Sequence, residues 1–297
     1  MPHGALCLSE ELRVDRLGFV AGERPRTDRT IHRVGCLAAT TLICLCLPAS
    51  APGAPSAKLH ATLTPDRLGQ GTTIGFDLRI AAPAGRMPPS LTQVGVSYPS
   101  NLGITTSGLG LATCSTHTLE ALGPAGCPPD SRMGYGSALA EFPIGPEIVR
   151  EAAQVTLLRG STHDPHLALL VFVNAEAPIW APLTLPALLL PAPAPFGGRI
   201  DIKVPLIPTF PGAPDVAVTQ LRFTIGPQHL TYYERHHGRW EPYRPEGINL
   251  PDTCPRKGFP FAATLAFADG SHTAASTTVP CPAKTQSPQS ADEGVVG

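Results

Sequence analysis

Residues 73–80, TIGFDLRI, alternate between apolar side chains and polar or small ones, and this alternation decides the fold class. The apolar positions are Ile74, Phe76, Leu78 and Ile80. Because successive side chains of a β-strand point to opposite faces, the pattern predicts a strand with one buried and one solvated face. The same period recurs at 200–206 and 220–225. The segment 167–173 is apolar throughout and predicts a strand covered on both faces.

Six further short segments carry strand signals, with turns rich in proline and glycine between them. They are residues 59–64, 94–98, 135–142, 153–158, 261–267 and 272–279. The 35 prolines among 297 residues exclude an all-helical bundle, and the 42% hydrophobic content excludes a disordered chain. Helix is expected only as one or two turns at 117–122 and 147–151. The sequence therefore predicts an all-β protein, an antiparallel β-sandwich of immunoglobulin-like or jelly-roll-like form.

An apolar stretch at 34–47, VGCLAATTLICLCL, follows the basic residues Arg26, Arg29 and Arg33 and precedes a run of small residues. A basic flank, a short apolar core and small residues downstream are the parts of a secretory signal peptide. The stretch is shorter than the roughly 20 residues of a membrane span, and a buried helix or an anchor is the alternative. We therefore expect residues 1–57 to be a leader and the mature chain to carry no transmembrane anchor.

Domain boundaries follow from this leader. Residues 58–282 are predicted to form one disulfide-stapled β-sandwich domain, with two sandwiches divided near residue 160 as the alternative. The polar stretch 283–297 is predicted to be a disordered tail. The signal cleavage site is open among positions between about 51 and 57. The long segment before the apolar core indicates that Met1 lies upstream of the natural start.

Four of the eight cysteines, Cys114, Cys127, Cys254 and Cys281, lie outside the leader. An even number of cysteines in an exported chain is typical of disulfides, and three pairings are open. We favour the two local closures, Cys114–Cys127 and Cys254–Cys281. For the second pair, Asp269-Gly270 is a hairpin turn signal that brings the flanking segments together. Structural zinc is the rival, but no two of these cysteines have the close spacing of zinc sites, so no metal is expected.

The stretch 229–243, HLTYYERHHGRWEPY, concentrates aromatic and imidazole side chains. Flat amphipathic rings bury contact area with little loss of conformational entropy, so such clusters form carbohydrate platforms and partner-binding hot spots. The alternative is an exposed loop whose aromatic rings pack on the edge of the sandwich. The candidate ligand-binding residues are Tyr232, Tyr233, His236, His237, Trp240 and Tyr243.

Catalytic and metal chemistry receives less support from the sequence. It contains no Gly-x-Ser-x-Gly elbow, no His-Glu-x-x-His pair and no phosphate-binding loop. Glu234 and Glu241 are candidates for the carboxylate pair of a glycosidase, because folding rather than sequence brings such groups together. His163 and His166 could join the histidine pair of the 229–243 stretch around a metal, but a turn at Pro165 explains them without one. No catalytic residue and no cofactor are therefore predicted.

Residues 177–198, APIWAPLTLPALLLPAPAPFGG, are apolar but contain six prolines. Because proline lacks a backbone N–H, the segment is predicted to be neither a membrane helix nor an inner strand of a sheet. We expect it to fold back over an open edge of the sandwich. The alternative is an arm that docks on a partner or on a lipid surface.

Five motifs stand around the cysteines and glycines of residues 58–282. They are Cys127-Pro128-Pro129-Asp130-Ser131, Gly134-Tyr135-Gly136, Asp252-Thr253-Cys254-Pro255, Phe267-Ala268-Asp269-Gly270-Ser271 and Pro280-Cys281-Pro282. In these motifs the chain resembles uncharacterised exported proteins of high-GC actinobacteria. The resemblance implies a disulfide-stapled exported β domain and gives no activity, ligand or catalytic residue. By their residue types, the first two motifs predict a turn that leads into a strand, with glycines that permit close approach or a bulge.

The net charge of −1 provides no basic surplus to neutralise phosphates, so no nucleic-acid partner is expected. Together, the signal peptide and the cysteines predict a secreted, extracellular or envelope module. Its expected role is non-catalytic binding or structure, with a cell-wall glycan or another envelope protein as the partner. The alternative function is a secreted hydrolase or another glycan-active enzyme on the same scaffold.

Overall fold

The computed structural model describes residues 54–83, 86–104, 108–161, 168–175, 181–209, 212 and 214–282. The predicted leader core at 34–47, the predicted tail at 283–297 and the candidate metal residues His163 and His166 lie outside the described residues. The first strand begins at Ser56, just ahead of the predicted start of the β domain.

The described chain is mostly β, and ten of its strands overlap the ten segments predicted from the sequence. The strands are β1 (Ser56–Thr64), β2 (Gly71–Ala81), β3 (Leu91–Pro99), β4 (Arg132–Ile144), β5 (Glu147–Arg159), β6 (Ala168–Ala175), β7 (Ala181–Leu190), β8 (Phe196–Lys203), β9 (Ala217–Ile225), β10 (Tyr232–His236), β11 (Arg239–Tyr243), β12 (Ile248–Asn249), β13 (Phe259–Phe267) and β14 (His272–Val279). A short helix, α1 (Thr116–Leu122), lies at the predicted position. Within the described ranges, no helix has the length and apolar character needed to cross a membrane.

Twelve of these strands form one antiparallel sheet. Its order is β1-β2-β9-β4-β5-β6-β7-β8-β3-β13-β14, and β12 pairs with β2 beside this path. Cα atoms of β1 and β14 approach within 8 Å, so the two ends of the path meet and the sheet is nearly closed. The all-β, antiparallel and disulfide-bonded parts of the prediction are confirmed. The division of the strands into two packed sheets, in immunoglobulin-like or jelly-roll-like form, stays a prediction.

Alternation along the strands places apolar side chains on the inner face of the sheet. In the β1–β2 ladder, Ala61 lies opposite Phe76 and Leu63 lies opposite Ile74, and all four side chains are buried. The same alternation on the other strands builds the larger of two hydrophobic clusters, which lies inside the curved sheet. The smaller one packs α1 and the first disulfide against Leu158, Leu170 and Phe172. Burying each large apolar side chain of this kind stabilises the fold by roughly 1.5–3 kcal/mol.

The strand β7 corrects the prediction for residues 177–198, which excluded an inner strand. Pro182 and Pro186 are four residues apart, so their nitrogens point to the same side of β7. One side of β7 pairs with β6. On its other side β8 pairs only with residues 187–190, so no ladder is present on that side at Pro182 and Pro186. Proline is tolerated at such positions because no N–H is needed there. Residues 176–180 lie outside the described part of the chain.

Residues 147–151, expected as a helical turn, are instead the first part of β5. Gly145, with a φ of 60°, and Pro146 turn the chain, and Ile144 then pairs with Glu147. From this turn the β4–β5 ladder continues along β5 as far as Leu158. The backbone hydrogen bonds of so long a ladder outweigh the weak helical preference of a few residues.

Two disulfides join Cys114 to Cys127 and Cys254 to Cys281, the two local closures that the sequence favours. The first encloses α1, which Ser115 caps, and the second ties the segment before β13 to the residues that follow β14. By loop-closure estimates each disulfide adds about 3 kcal/mol of stability. Two disulfides fit a protein that folds in an oxidising compartment.

Gly134 and Gly136 allow β4 to approach β9 closely. A Cβ atom on Gly134 would lie 1.8 Å from the carbonyl oxygen of Thr224, and one on Gly136 would lie 2.0 Å from that of Arg222. Real Cβ atoms do not approach other heavy atoms within 3.0 Å, so a larger residue would push the two strands apart. The register of the β4–β5 ladder also shifts just before Gly134, which marks a bulge.

Replacing Gly136 with alanine is expected to destabilise the protein, because the added methyl group would separate β4 from β9. We expect the free energy of unfolding in urea to fall by about 2 kcal/mol, as for other overpacked sites. Gly108→Ala is the matched control: a Cβ atom there would lie 3.6 Å from the backbone nitrogen of Glu246, an ordinary contact. Its effect should stay within about 0.5 kcal/mol. Equal stability of the two variants would contradict the close approach of β4 and β9.

Candidate functional site

The stretch 229–243 contains a β-hairpin rather than the loop expected from the sequence. Its strands β10 and β11 pair along their whole length. His237 and Gly238 form the two-residue turn, with φ angles of 46° and 84°. Positive φ at both positions is the geometry of a type I′ turn, which matches the right-handed twist of the two strands.

Tyr232 fixes the base of this hairpin to the main sheet. Its side chain is fully buried, and its hydroxyl accepts a hydrogen bond from the N–H of Gly110 at 2.9 Å. The same hydroxyl donates to the carbonyl oxygen of Arg132. Beside it, the N–H of Tyr233 donates to the carboxylate of Asp130 at 3.2 Å. Asp130 lies in a short 3₁₀ turn that follows the first disulfide, so that turn supports the hairpin.

Burial raises the pKa of Tyr232 to about 12, and the nearby Asp130 carboxylate adds to this shift, while the hydrogen bond from Gly110 opposes it. The ring of Tyr243 packs edge-on against that of Tyr232, with 5.9 Å between their centroids. Partial burial, together with Asp130 and Glu234, raises the pKa of the Tyr243 hydroxyl as well. Tyr232 therefore holds the hairpin as a neutral hydroxyl throughout the physiological pH range.

One face of the hairpin is aromatic and exposed, and we call it the Trp240 face. Directly opposed residues of an antiparallel pair share a face, and here Arg235 is opposite Trp240 while Tyr233 is opposite Pro242. Trp240 is 69% exposed and Tyr233 is 44% exposed. The Trp240 face thus offers two aromatic rings, a proline ring and a guanidinium group to the solvent.

The six predicted ligand-binding residues do not share one surface. Tyr233 and Trp240 lie on the Trp240 face, whereas Tyr232, His236 and Tyr243 lie on the opposite face and His237 lies in the turn. His236 Nε2 is 3.5 Å from Glu234 Oε1, and its ring centroid is 6.0 Å from that of His237. Among the residues that the structure describes, no three His, Cys, Asp or Glu side chains gather into a metal site.

Glu234 and Glu241, the candidate carboxylate pair, are opposite each other in the ladder and share the face away from Trp240. Opposed cross-strand Cβ atoms lie about 5 Å apart, so the two carboxylates are neighbours. Both residues are exposed, and the cavities described below are lined by other residues. A glycosidase holds its sugar between two carboxylates in a shaped cleft, and this open ribbon has no walls around the pair.

A furrow of about 460 Å³ crosses the outer face of β1, β2, β9 and β4. One row of outward neighbours across these strands is His60, Asp77, Arg222 and Ser137, and the next is Thr62, Gly75, Thr224 and Tyr135. Asp77 accepts hydrogen bonds from Gln220 at 2.6 Å and from Arg222 at 3.2 Å. Partial burial disfavours its charge, but these bonds and that from Arg79 outweigh burial and lower its pKa. Because the charged groups of the furrow bind one another, we assign it a structural role.

A cavity of about 120 Å³ lies inside the sheet, and its wall is aliphatic apart from Ser137, Arg222 and Phe223. Strands β3 to β9 supply this wall, with small inward residues such as Ala138 and Ala187. An unfilled apolar cavity of this size costs roughly 3 kcal/mol of stability, at about 24 cal/mol per Å³. Sequence reasoning missed the cavity, because alternation predicts which side chains face inward but not whether they fill the space between them.

Comparison with known proteins gives no relative. No protein-family model matches the chain, and neither the curated proteins nor the solved structures contain a match.

Tyr232 is expected to ionise near pH 12, about two units above free tyrosine. Between pH 10 and pH 12 the unfolded chain has lost this proton while the folded chain keeps it. The free energy of unfolding should therefore fall as the pH rises through this window, and should not respond to this group below it. Ultraviolet difference titration of the native protein against Tyr232→Phe measures the transition. If the transition that is absent from Tyr232→Phe has the same pH midpoint as tyrosine in the urea-unfolded chain, the burial of the Tyr232 hydroxyl is contradicted.

Proposed function

We propose that the protein is an exported, non-catalytic binding module of the cell envelope or extracellular space, and that it binds a cell-wall glycan through the Trp240 face. The observation that carries this proposal is the 69% exposure of Trp240 on a hairpin whose base is anchored by the buried Tyr232. Single exposed hydrophobic residues are ordinary on protein surfaces. Here Trp240 is joined on one face by Tyr233, Arg235 and Pro242.

The chemistry of this face matches that of a glycan. A sugar ring presents a C–H face, which packs against the electron-rich face of an aromatic ring, and a rim of hydroxyl groups. The guanidinium of Arg235 supplies hydrogen-bond donors for such a rim. Because the ribbon is open at both sides, it suits a polymer that extends beyond the contact. The rigid rings and the anchored base also reduce the entropy lost on binding.

Export is supported by two features of the chain. The basic flank, apolar core and small residues of positions 26–57 have the pattern of a signal peptide. All four cysteines after that segment are paired in disulfides, as in proteins that fold outside the reducing cytosol. The motifs that resemble those of exported actinobacterial proteins supply the turn and the bulge on which the hairpin rests.

A secreted glycan-active enzyme is the alternative function, and the ribbon geometry weighs against it. Glu234 and Glu241 lie on the face opposite Trp240 and Tyr233. A glycan that stacks on the Trp240 face would therefore be separated from the carboxylate pair by the thickness of the ribbon. A glycosidase needs both carboxylates at the same glycosidic bond.

We also propose that the strands pack as a sandwich, and contact between two aromatic rings supports this. The ring of Phe76 on β2 meets that of Phe261 on β13 edge-on, with centroids 5.4 Å apart. β1 and β14 are the two ends of the strand order, and they lie between β2 and β13 where the sheet nearly closes. Direct packing across the core favours a flattened, sandwich-like cross-section over a round one.

Trp240→Ala is expected to weaken binding of the intact chain to insoluble cell wall from the producing organism by at least tenfold. The loss corresponds to about 1.4 kcal/mol, a modest value for an aromatic hot spot. Co-sedimentation across a range of wall concentrations measures the affinity. Release of soluble sugar by the native protein, abolished in Glu234→Gln, would support the enzyme instead.

Two arginines of the hairpin provide a matched control. Arg235 shares the Trp240 face, whereas Arg239 lies on the opposite face, and the two residues are close along the same ribbon. Arg235→Ala should weaken wall binding several-fold, and Arg239→Ala should leave it unchanged. Equal effects of the two variants would indicate non-specific charge attraction. Binding of the native protein to an envelope protein but not to the glycan would overturn the proposal.

The protein recovered from its natural compartment is expected to contain no free thiol at Cys114, Cys127, Cys254 or Cys281. Iodoacetamide should label these residues only after reduction, because each is held in a disulfide. Peptide mapping by mass spectrometry, with and without reduction, measures the labelling. Alkylation of any of the four without reduction would contradict folding in an oxidising compartment.

A further inference from the structure

We propose that a groove at one edge of the main sheet binds an acidic sugar, a pyranose ring that carries a carboxylate. The groove has a volume of about 390 Å³, which lies within the roughly 300–1,000 Å³ of small-molecule sites. Its cationic residues are Arg256 and Lys257, and we call it the Lys257 groove. The site is separate from the Trp240 face and does not depend on the function proposed for that face.

Four neighbouring strands begin or end at the Lys257 groove. In the order β8-β3-β13-β14 every neighbouring pair is antiparallel, so β8 and β13 begin at the edge where β3 and β14 end. Two backbone hydrogen bonds fix the turns there. The N–H of Ser100 donates to the carbonyl oxygen of Pro195 at 3.3 Å, and the N–H of Gly258 donates to that of Pro255 at 2.9 Å. The groove is therefore built on the frame of the sheet.

The second disulfide supports the turn that carries the two cations. Cys254 directly precedes this turn and is bonded to Cys281, which follows β14. Gly258 ends the turn with a φ of 84°, and a Cβ atom there would lie 2.4 Å from the carbonyl oxygen of Val279. The turn thus packs closely against the end of β14. Because its backbone is ordered before a ligand arrives, less entropy is lost on binding.

The Lys257 groove has positive charge that no acidic group balances. Its described lining contains no Asp or Glu, and among the described residues neither Arg256 nor Lys257 takes part in an ion pair. Asp252, the acidic residue nearest in the sequence, lies instead against Gly69, where an added Cβ atom would be 2.7 Å from its Oδ1. In the outer furrow the charged groups bind one another, whereas here both cations are available to an anionic ligand.

The uncharged lining indicates which kind of anion fits. Ser100 and Thr278 provide hydroxyl groups that can donate and accept hydrogen bonds. The apolar faces of four proline rings make up most of the remaining lining: Pro99, Pro195, Pro255 and Pro260. An acidic sugar has a C–H face for the proline rings, hydroxyl groups for the polar residues and a carboxylate for the cations. A neutral sugar would leave both cations without a partner, and a simple inorganic anion would not use the proline rings.

Glucuronic acid and glucose are matched probes, because they differ only by a carboxylate in place of a CH₂OH group. Titration of the intact chain, followed by NMR at neutral pH, measures the affinity for each. We expect glucuronate to bind at least tenfold more tightly than glucose, because hydrogen bonds to a charged acceptor are the stronger ones. Equal affinities for the two probes, or no binding of either, would overturn the proposal.

Two further probes separate the carboxylate from the sugar ring. Acetate presents the carboxylate alone and should bind more weakly than glucuronate. Equal binding of acetate would show that the groove recognises charge without the ring. Glucose 6-phosphate presents the ring with a phosphate, and tighter binding of this probe than of glucuronate would make the ligand a phosphorylated sugar. Either of these results would overturn the assignment of an acidic sugar.

Two exposed lysines give a matched pair of charge variants. Lys257 lines the groove, whereas Lys203 lies at the other end of β8, and each change to glutamine removes one positive charge. Lys257→Gln should weaken glucuronate binding several-fold, and Lys203→Gln should leave it unchanged. Arg256→Lys should also weaken binding, because lysine lacks the planar fork that matches a carboxylate. Equal effects of the two lysine variants would indicate non-specific charge attraction and overturn the site.

Two exposed positions of β14 test the groove without changing its charge. Thr278 lines the groove, and Ala274 lies four residues earlier on the same strand and outside it. Thr278→Phe should fill part of the groove and weaken glucuronate binding at least tenfold, and Ala274→Phe should bind like the native protein. Circular dichroism checks that both variants are folded. Equal affinities of the two variants would overturn the groove as the binding site.

Trp240→Ala separates this proposal from the function proposed for the hairpin. It should leave the affinity for glucuronate unchanged, because Trp240 does not line the groove. The lysine variants keep the proposal testable where Thr278→Phe does not fold. Loss of glucuronate binding in Trp240→Ala would place the acidic sugar on the Trp240 face and overturn the Lys257 groove as its site.

Discussion

The antiparallel pairing of β9 with both β2 and β4 is the constraint on which the remaining structure depends. Ile225 is paired with Ile74 on one side and with Gly134 on the other, although these residues are far apart in the sequence. This pairing joins the β1–β2 hairpin to the strands that begin with β4. It also builds one wall of the cavity, and the chain after β9 leads directly into the hairpin that carries the Trp240 face. The glycines of β4 allow the close approach of β4 to β9 on which this pairing depends.

Much of the sheet could be predicted from the sequence, because a period of two in hydrophobicity is a local signal. The Asp269-Gly270 turn and the second disulfide were equally local. The strand β7 could not be predicted, because the effect of Pro182 and Pro186 depends on which side of β7 is paired and how far β8 extends. The hairpin turn at His237-Gly238 lacked the usual asparagine or aspartate signal. The two faces of that hairpin, and hence the separation of the predicted residues, follow from a register that only the folded ladder defines.

The distribution of side-chain types explains why the cavity lies where it does. Phe76 contacts Phe223 at 4.8 Å and Phe261 at 5.4 Å between ring centroids, so aromatic rings fill the middle of the core. The wall of the cavity, on β3 to β9, is by contrast almost wholly valine, leucine, isoleucine and alanine. Valine and isoleucine are branched at Cβ and stiff at χ1, so they cannot rearrange to occupy the remaining space. The aliphatic wall thus keeps its shape, and the unfilled volume remains a cost to the stability of the fold.

The hairpin shows how the first disulfide can contribute to binding without contacting a ligand. An isolated two-stranded ribbon is at best marginally stable in water, so the Trp240 face depends on the support beneath it. That support consists of Gly110, Asp130 and Arg132, which form hydrogen bonds with Tyr232 and Tyr233. Gly110 lies shortly before the loop closed by Cys114 and Cys127, and Asp130 and Arg132 lie shortly after it. Because the disulfide restricts this loop, it also restricts the groups that hold the hairpin. The disulfide therefore stabilises the segments that hold the base of the hairpin, and the entropy of ordering them is lost on folding.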